Sequence, residues 1–412
     1  MLRPRIGLAV PSLAQGGGGV ASVAHFLKDV VLRCRAYDLT LVSLATSAND
    51  ECNLSITRPS TWLRGATAAA STWEGLPLVH VGAVGGEPEF RRYLPRKALA
   101  EAVADCDILQ VVCGSPAYAN ALCGLGKPVS VQCATRAKVE RRRRDARPSG
   151  VVGWWGKAMT EFTDRMDDRA LRSADAIEVE NAWMYEYAGR INQGRDVDLR
   201  YAPPGVDARI FRPAGERTLD GKPYVLCVGR LDDPRKNVEL LLEAYSQLSG
   251  AIRKDLRVVL AGQAAPSAYF WHRADVLGLR DFVEFIHRPT REELVTLYQK
   301  ASMFVLPSDE EGLGIVILEA MACGVPVVST RSGGPDGVIT EGEDGFLVPL
   351  GDSLMLAGRM EELHLNKDQN RDMGSRARAT IERRFSEDVA EQAFLDIWDR
   401  LLQVRNRSRC VE

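Results

Sequence analysis

The stretch SDEEGLGIVILEAMACGVPVVST, Ser308 to Thr330, decides how the whole chain reads. It follows the apolar run Met303–Leu306 and has three parts in order: an acidic turn, a Gly-x-Gly helix start at Gly312 and Gly314, and a short helix ending at Cys323-Gly324 before Pro326. Glycine permits the tight turn and proline cannot continue the helix, so the pattern is strand, turn, helix. Glu311 stands at the turn and Glu319 eight positions on; a rise of about 1.5 Å per residue sets them roughly 12 Å apart on one face. That span suits a ligand as long as a nucleotide-sugar. The N–H groups around Gly312 and Gly314 lack helical partners and carry the positive end of the helix dipole, which favours a phosphate. The plainer reading is a capped helix, with Glu311 complementing the dipole and Glu319 on a solvated surface.

Outward from this stretch, short apolar runs alternate with helical patterns along all 412 residues, the signature of parallel βαβ units. Strands are expected at Arg5–Val10, Leu39–Leu44, Leu78–Val81, Ile108–Val112, Val129–Cys133 and Ala176–Val179. In the second half they are expected at Tyr224–Val228, Arg257–Ala261, Val283–Ile286, Met303–Leu306, Val325–Ser329 and Gly345–Val348. The length exceeds one hydrophobic core, so two domains of about 200 residues are expected. YAPPGVDARIFRP, Tyr201 to Pro213, disfavours helix and strand and marks the boundary. The expected division is 1–206, 207–385, and a C-terminal helix and tail over 386–412 that packs back toward the first domain. That helix reads Ser386–Gln403, with Ala393, Phe394, Ile397, Trp398 and Leu401 as its docking face. Ligands of such sheets bind beyond the carboxyl ends of the strands, so a cleft between two facing domains is the expected site.

A net charge of −2, with 45% apolar and 26% charged residues, argues against a general nucleic-acid binder. Nine cysteines without a Cys-x-x-Cys pair read as reduced core thiols in a cytosolic protein. MLRPRIGLAV is too short an apolar run for a signal peptide, and no later run reaches about 18 apolar residues.

Gly229, Arg230 and Lys236 stand just past the Tyr224–Val228 strand, where two cations suit a diphosphate. Exposed pairing with Asp232 and Asp233 is the bland alternative. QGGGGV, Gln15 to Val20, follows the first strand; Gly16, Gly18 and Ala21 match a dinucleotide pattern. The glycines stand five residues beyond Val10, however, and Thr46 replaces the acid that would bind a ribose, which argues against an oxidoreductase. Asp105-Cys106-Asp107 lies at the amino end of a strand and reads as a surface turn. The five histidines show no zinc spacing, so no metal is implied. RAKVERRRRDARPSGVVGWWGK, Arg136 to Lys157, is either a membrane-facing basic and aromatic segment or a solvated loop.

Together these residues resemble glycosyltransferase family 4, retaining enzymes of the α/β GT-B fold with two facing Rossmann-like parallel-sheet domains, an interdomain cleft and a C-terminal crossover helix. The motifs that carry the resemblance are GRLDDPRKNVELLLEAY, PSDEEGLGIVILEAMACGVPVVST, Gly333-Gly334, PPGVDARIFRP and SADAIEVEN. The resemblance implies that Arg230 and Lys236 hold the donor diphosphate, that Glu311 contacts the transferred sugar, and that Glu319 accepts from the ribose hydroxyls. Leu313 and Gly314 would add N–H groups, with Gly312 and Ile315 beside them; Gly17, Gly18 and Gly19 would line the cleft opposite. Gly229, Gly262 and Arg288 would border the nucleotide, with base selection around Gly262 and His287–Pro289. The family commonly has a histidine after PVSVQ, where this chain has Gln132-Cys133, so Gln132 is the expected sugar contact.

The expected activity is retaining, metal-independent transfer of a hexose-type sugar from a nucleotide diphosphate sugar to a glycan, lipid-linked or small-molecule acceptor. No cofactor is implied, because the nucleotide-sugar enters as substrate. The expected location is the cytoplasm, with attachment to an anionic membrane surface following only from the first of the two readings of Arg136–Lys157. A non-catalytic nucleotide-sugar binder, or a sugar-nucleotide hydrolase or epimerase on the same fold, are the alternatives.

Overall fold

The computed structural model describes residues 3–13, 19–146, 149–215 and 223–409. The chain forms two compact units, Met1–Pro204 with Glu391–Glu412, and Gly205–Ala390. The division falls two residues ahead of the expected one, because Val206 is tied to the second unit: its N–H donates to Phe385 O and its carbonyl accepts from Glu387 N.

In the first unit the strands are β1 Arg5–Pro11, β2 Asp38–Leu44, β3 Ala68–Trp73, β4 Leu76–Val81, β5 Ile108–Cys113, β6 Val129–Cys133, β7 Ala176–Val179 and β8 Asp198–Tyr201. They form one sheet in the order β3-β4-β2-β1-β5-β6-β7-β8, parallel except for β3. Every residue of β5, β6 and β7 is buried, as expected for parallel strands covered on both faces. Two strands, β3 and β8, were not foreseen. β3 is mostly exposed alanine, serine and threonine, and its place comes from the two-residue hairpin Glu74-Gly75, both at positive φ (52° and 79°). β8 is a four-residue edge strand of mixed polarity.

In the second unit the strands are β9 Tyr224–Val228, β10 Arg257–Gly262, β11 Val283–His287, β12 Met303–Leu306, β13 Val327–Thr330 and β14 Gly345–Val348. All are parallel, in the order β11-β10-β9-β12-β13-β14. β13 starts at Val327 and not Val325, because the Val325 N–H closes the preceding helix on Ala320 O. Alternation along β9 sends Val225 and Cys227 into one core layer and Leu226 and Val228 into the other. The chain runs outward from β9 through β10 to β11, then crosses back to β12. The carboxyl ends of β9 and β12 therefore flank the point where the strand order reverses, the place where such sheets open a crevice.

The terminal helix spans Glu387–Arg409, longer than expected. From Glu391 onward it belongs to the first unit. Phe394, Ile397 and Trp398 are fully buried, Leu401 nearly so, and Trp398 Nε1 donates to Gln110 Oε1 on β5 at 2.8 Å.

Candidate active site

Two loops meet at the reversal point of the second sheet. After β9, Asp233 caps a short turn by accepting from Arg235 N, and Asn237 turns the chain in the left-handed region (φ 44°). After β12 comes the acidic turn Asp309-Glu310-Glu311. Asn237 Nδ2 donates to Asp309 Oδ1 at 2.8 Å, and Asp309 N donates to Arg235 O at 2.8 Å. The Arg235 guanidinium bridges Asp233 and Glu310 at 2.8 and 2.9 Å. Burial alone would raise the Asp233 carboxyl, but hydrogen bonds from Arg235 hold it below its ordinary range.

This stitching brings Lys236 and Glu311 together. Lys236 Nζ lies 2.7 Å from Glu311 Oε1, and Ser308 Oγ donates to the same oxygen at 2.6 Å. The Glu311 backbone is fixed as well, since its N–H donates to Ser332 O and its carbonyl accepts from Gly334 N. Arg230, in contrast, has a half-exposed side chain with Nη2 3.3 Å from Asp233 Oδ2. Lys236 and Glu311 thus meet at the strand ends, and Arg230 lies on the same loop, paired with Asp233.

The helix Ile315–Ala322 starts directly after this turn, with Gly314 left-handed at φ 83° and Leu313 buried. Its amino end, the positive end of its dipole, follows Gly312 and Glu311 in the chain. Glu319 lies one turn into the helix, where Tyr298 Oη donates to its Oε2 at 2.7 Å. Burial pushes the Glu319 carboxyl up to about 7, while the Tyr298 hydrogen bond and Arg291 pull the other way. Gly262 ends β10, where an added Cβ would stand 2.1 Å from Gly229 O. Arg288, exposed and at positive φ (49°), donates its N–H to Gly262 O at 2.8 Å. Tyr298, Ser308, Asp309, Glu310 and Arg235 were not foreseen. Arg235, Asp309 and Glu310 meet between two loops and Tyr298 reaches Glu319 from a neighbouring helix, so no local spacing marks them; Ser308 lies only three residues before Glu311, within the quoted stretch.

Other expected residues lie elsewhere. Gly17 and Gly18 are outside the described residues, and Gly19 opens the helix Gly19–Cys34 with no steric demand for glycine. Gln132 is buried in the first unit and donates through Nε2 to Glu180 Oε1 at 2.9 Å, while its buried Oε1 has no partner among the described residues. The basic run is largely engaged inside its own unit: Arg136 pairs with Asp164 and Asp168, Lys138 with Glu161, Arg141 with Glu89, and Arg144 with Asp145. The apolar start of the helix Gly150–Ser173 is the exposed part, with Val151, Val152, Trp154 and Trp155 between 61% and 86% accessible. Asp107 takes Arg5 N and Arg405, which closes a surface turn. Metal-capable atoms of Asp50, Cys52 and His80 lie within 4.8 Å of one another, a grouping that linear spacing did not reveal. His80 Nε2 is hydrogen-bonded to Asp50 and Nδ1 to Ser43, so the described contacts form a loop clasp. Among the described residues no helix is long and apolar enough to cross a membrane.

Residues 211–380 match the family described as "Glycosyl transferases group 1". The chain is 34% identical over 170 residues to the GDP-mannose-dependent alpha-(1-6)-phosphatidylinositol monomannoside mannosyltransferase of Mycolicibacterium smegmatis, covering 38% of this chain and 44% of the relative. It is 30% identical over 291 residues to the D-inositol 3-phosphate glycosyltransferase of Saccharomonospora viridis, covering 61% and 67%. The chain thus spans less than half the length of the first of these relatives, and likewise 35% and 40% of the D-inositol 3-phosphate glycosyltransferases of Mycolicibacterium smegmatis and Acidothermus cellulolyticus. Among solved structures, sucrose-phosphate synthase of Thermosynechococcus elongatus superposes with a TM-score of 0.68 at 19% identity, over 98% of this chain and 100% of that one. HepE of Anabaena, in complex with UDP and glucose, gives 0.69 at 16% identity over 95% and 99%. The fold is therefore that of the GT-B enzymes, α/β with two Rossmann-like parallel-sheet units.

Proposed function

The chain belongs to the group 1 glycosyl transferases, glycosyltransferase family 4, and on that premise we propose that it transfers a hexose-type sugar from a nucleotide diphosphate sugar to a glycan, lipid-linked or small-molecule acceptor. The observation that carries this reading is the convergence of Lys236, Arg230 and Glu311 at the reversal point of the second sheet. The glycosidic C1–O bond breaks as the nucleoside diphosphate leaves, and Arg230 and Lys236 stabilise the charge that grows on it. Lys236 is held ready by Glu311; when the diphosphate takes up part of its charge, Glu311 turns to the sugar hydroxyls. The acceptor oxygen then attacks on the same face and passes its proton to a phosphate oxygen, which retains the anomeric configuration. The chemistry needs positioned charge in place of a strong base, so the reading requires no metal and no cofactor. The inositol-derived acceptors named for the relatives support a lipid-linked or small-molecule acceptor.

The same reading places the protein in the cytoplasm, at the surface of an anionic membrane. Exposed Trp154, Trp155, Val151 and Val152 supply an apolar contact, and Lys157, 5.5 Å from the Trp154 ring, supplies charge. A panel of UDP- and GDP-sugars, each offered with inositol phosphates and lipid acceptors, tests the activity. Transfer to an added acceptor supports it. Binding without turnover identifies a non-catalytic binder, and donor consumption without acceptor identifies a hydrolase or epimerase.

A further inference from the structure

We infer that Tyr298 is a positioning residue for donor recognition: its phenol pins one carboxyl oxygen of Glu319, so that the second oxygen is aimed to accept from the ribose hydroxyls of a nucleoside diphosphate. This deepens the proposed function and rests on its assignment of Glu319 to the ribose.

Tyr298 is fully buried on the helix Arg291–Lys300, which starts at a complete capping box made by Thr290 and Glu293. Its ring is wedged between Phe211 and Phe304, with centroids 6.0 and 5.7 Å away, so the ring has little freedom to turn. The hydroxyl donates to Glu319 Oε2 at 2.7 Å, across to the neighbouring helix. A glutamate has three rotatable side-chain bonds, and pinning one oxygen removes most of that freedom before any ligand arrives. The phenol also acts on charge. Apolar surroundings favour a neutral carboxyl, which carries a proton donor of its own and recognises hydroxyls less selectively. A hydrogen bond donated to the carboxylate favours the ionised, acceptor-only form. Tyr298 therefore supplies the direction that recognition of two hydroxyls requires, and its hydrogen bond opposes the upward push of burial on the carboxyl.

The test is binding of UDP and GDP, each compared with its 2′,3′-dideoxy counterpart, to the whole chain and to Y298F and E319Q by titration calorimetry. The unmodified protein is expected to prefer the ribose form. Y298F should weaken binding of that form about tenfold and leave the dideoxy form nearly unchanged, as E319Q should. In turnover, Y298F should raise the donor KM by a similar factor with little change in kcat. A general loss of structure would weaken ribose and dideoxy forms alike, which separates it from positioning. If the unmodified protein prefers the ribose form and Y298F keeps that preference, the inference is overturned while the proposed function stands. If the unmodified protein shows no preference, the ribose assignment of Glu319 fails, and the inference with it.

Discussion

Lys236 Nζ and Glu311 Oε1 are 2.7 Å apart, although 75 positions separate the two residues in the chain. Both side chains are largely buried, at 17% and 8% accessible, and Ser308 shares the carboxylate. A buried pair of this kind is far more sensitive to loss of one partner than an exposed pair, because the survivor is left as an uncompensated charge.

Lys236→Ala and Arg230→Ala are each expected to lower turnover about 10²-fold, the scale for losing one transition-state charge stabiliser. Steady-state kinetics on the donor found by the panel is the check. Removing Lys236 and Glu311 together should cost less than the sum of the two single losses, with a coupling of about 0.5–3 kcal/mol. Unchanged turnover in both single variants would remove the diphosphate from this site.

Gly262→Ala is expected to destabilise the protein by about 1–3 kcal/mol, because its Cβ would stand 2.1 Å from Gly229 O and the ends of β9 and β10 would have to part. Urea unfolding reports the loss. Donor affinity should fall with it, since Gly229 precedes Arg230 directly. A variant as stable as the parent would show that the strand ends yield freely.

Glu178 is fully buried on β7, with Ser130 Oγ and Gln110 Nε2 donating to it. Burial pushes its carboxyl up to about 7, against the pull of those two donors. The folded protein therefore keeps a proton that the unfolded chain, with an ordinary value of about 4.3, has already lost. This group's contribution to stability falls as pH rises from about 4.3 to 7 and is then constant. Glu178→Gln, which cannot ionise, should raise the melting temperature more at pH 8 than at pH 5. Equal shifts at both values would show that Glu178 does not titrate in that window.

Replacing Trp154 and Trp155 together with serine is expected to reduce binding to phosphatidylserine-containing vesicles about tenfold or more, since interfacial binding scales with buried apolar area. Co-sedimentation measures it. Arg141→Ser should instead lower thermal stability, because it strands Glu89, whose carboxyl Arg141 and Tyr93 hold below its ordinary range against burial. An unmodified protein that does not sediment with such vesicles would leave the tryptophans without a membrane role.

Twelve strands were legible because apolar runs and Gly/Pro punctuation are local signals. β3 was not, since Ala68–Trp73 lacks an apolar face and exists only as the partner of β4. Of the candidate site, the places of Arg230, Lys236 and Glu311 after strands, and of Glu319 in the following helix, were readable from the sequence. Their partners were hidden: nothing near Tyr298 in the chain points to Glu319, and nothing near Arg141 reveals that its charge is met by Glu89.

Residue order in Ser308–Thr330 and Gly229–Tyr245 was therefore sufficient for the fold class and for the elements that carry the candidate residues, because strand, turn and helix starts depend on neighbours a few residues away. Only the folded chain decides which charges meet. Sheet order places the ends of β9 and β12 side by side and so pairs Lys236 with Glu311; the terminal helix sets Trp398 against Gln110, 288 positions earlier. Such contacts follow from how strands are ordered and helices docked, and no short-range periodicity encodes that order.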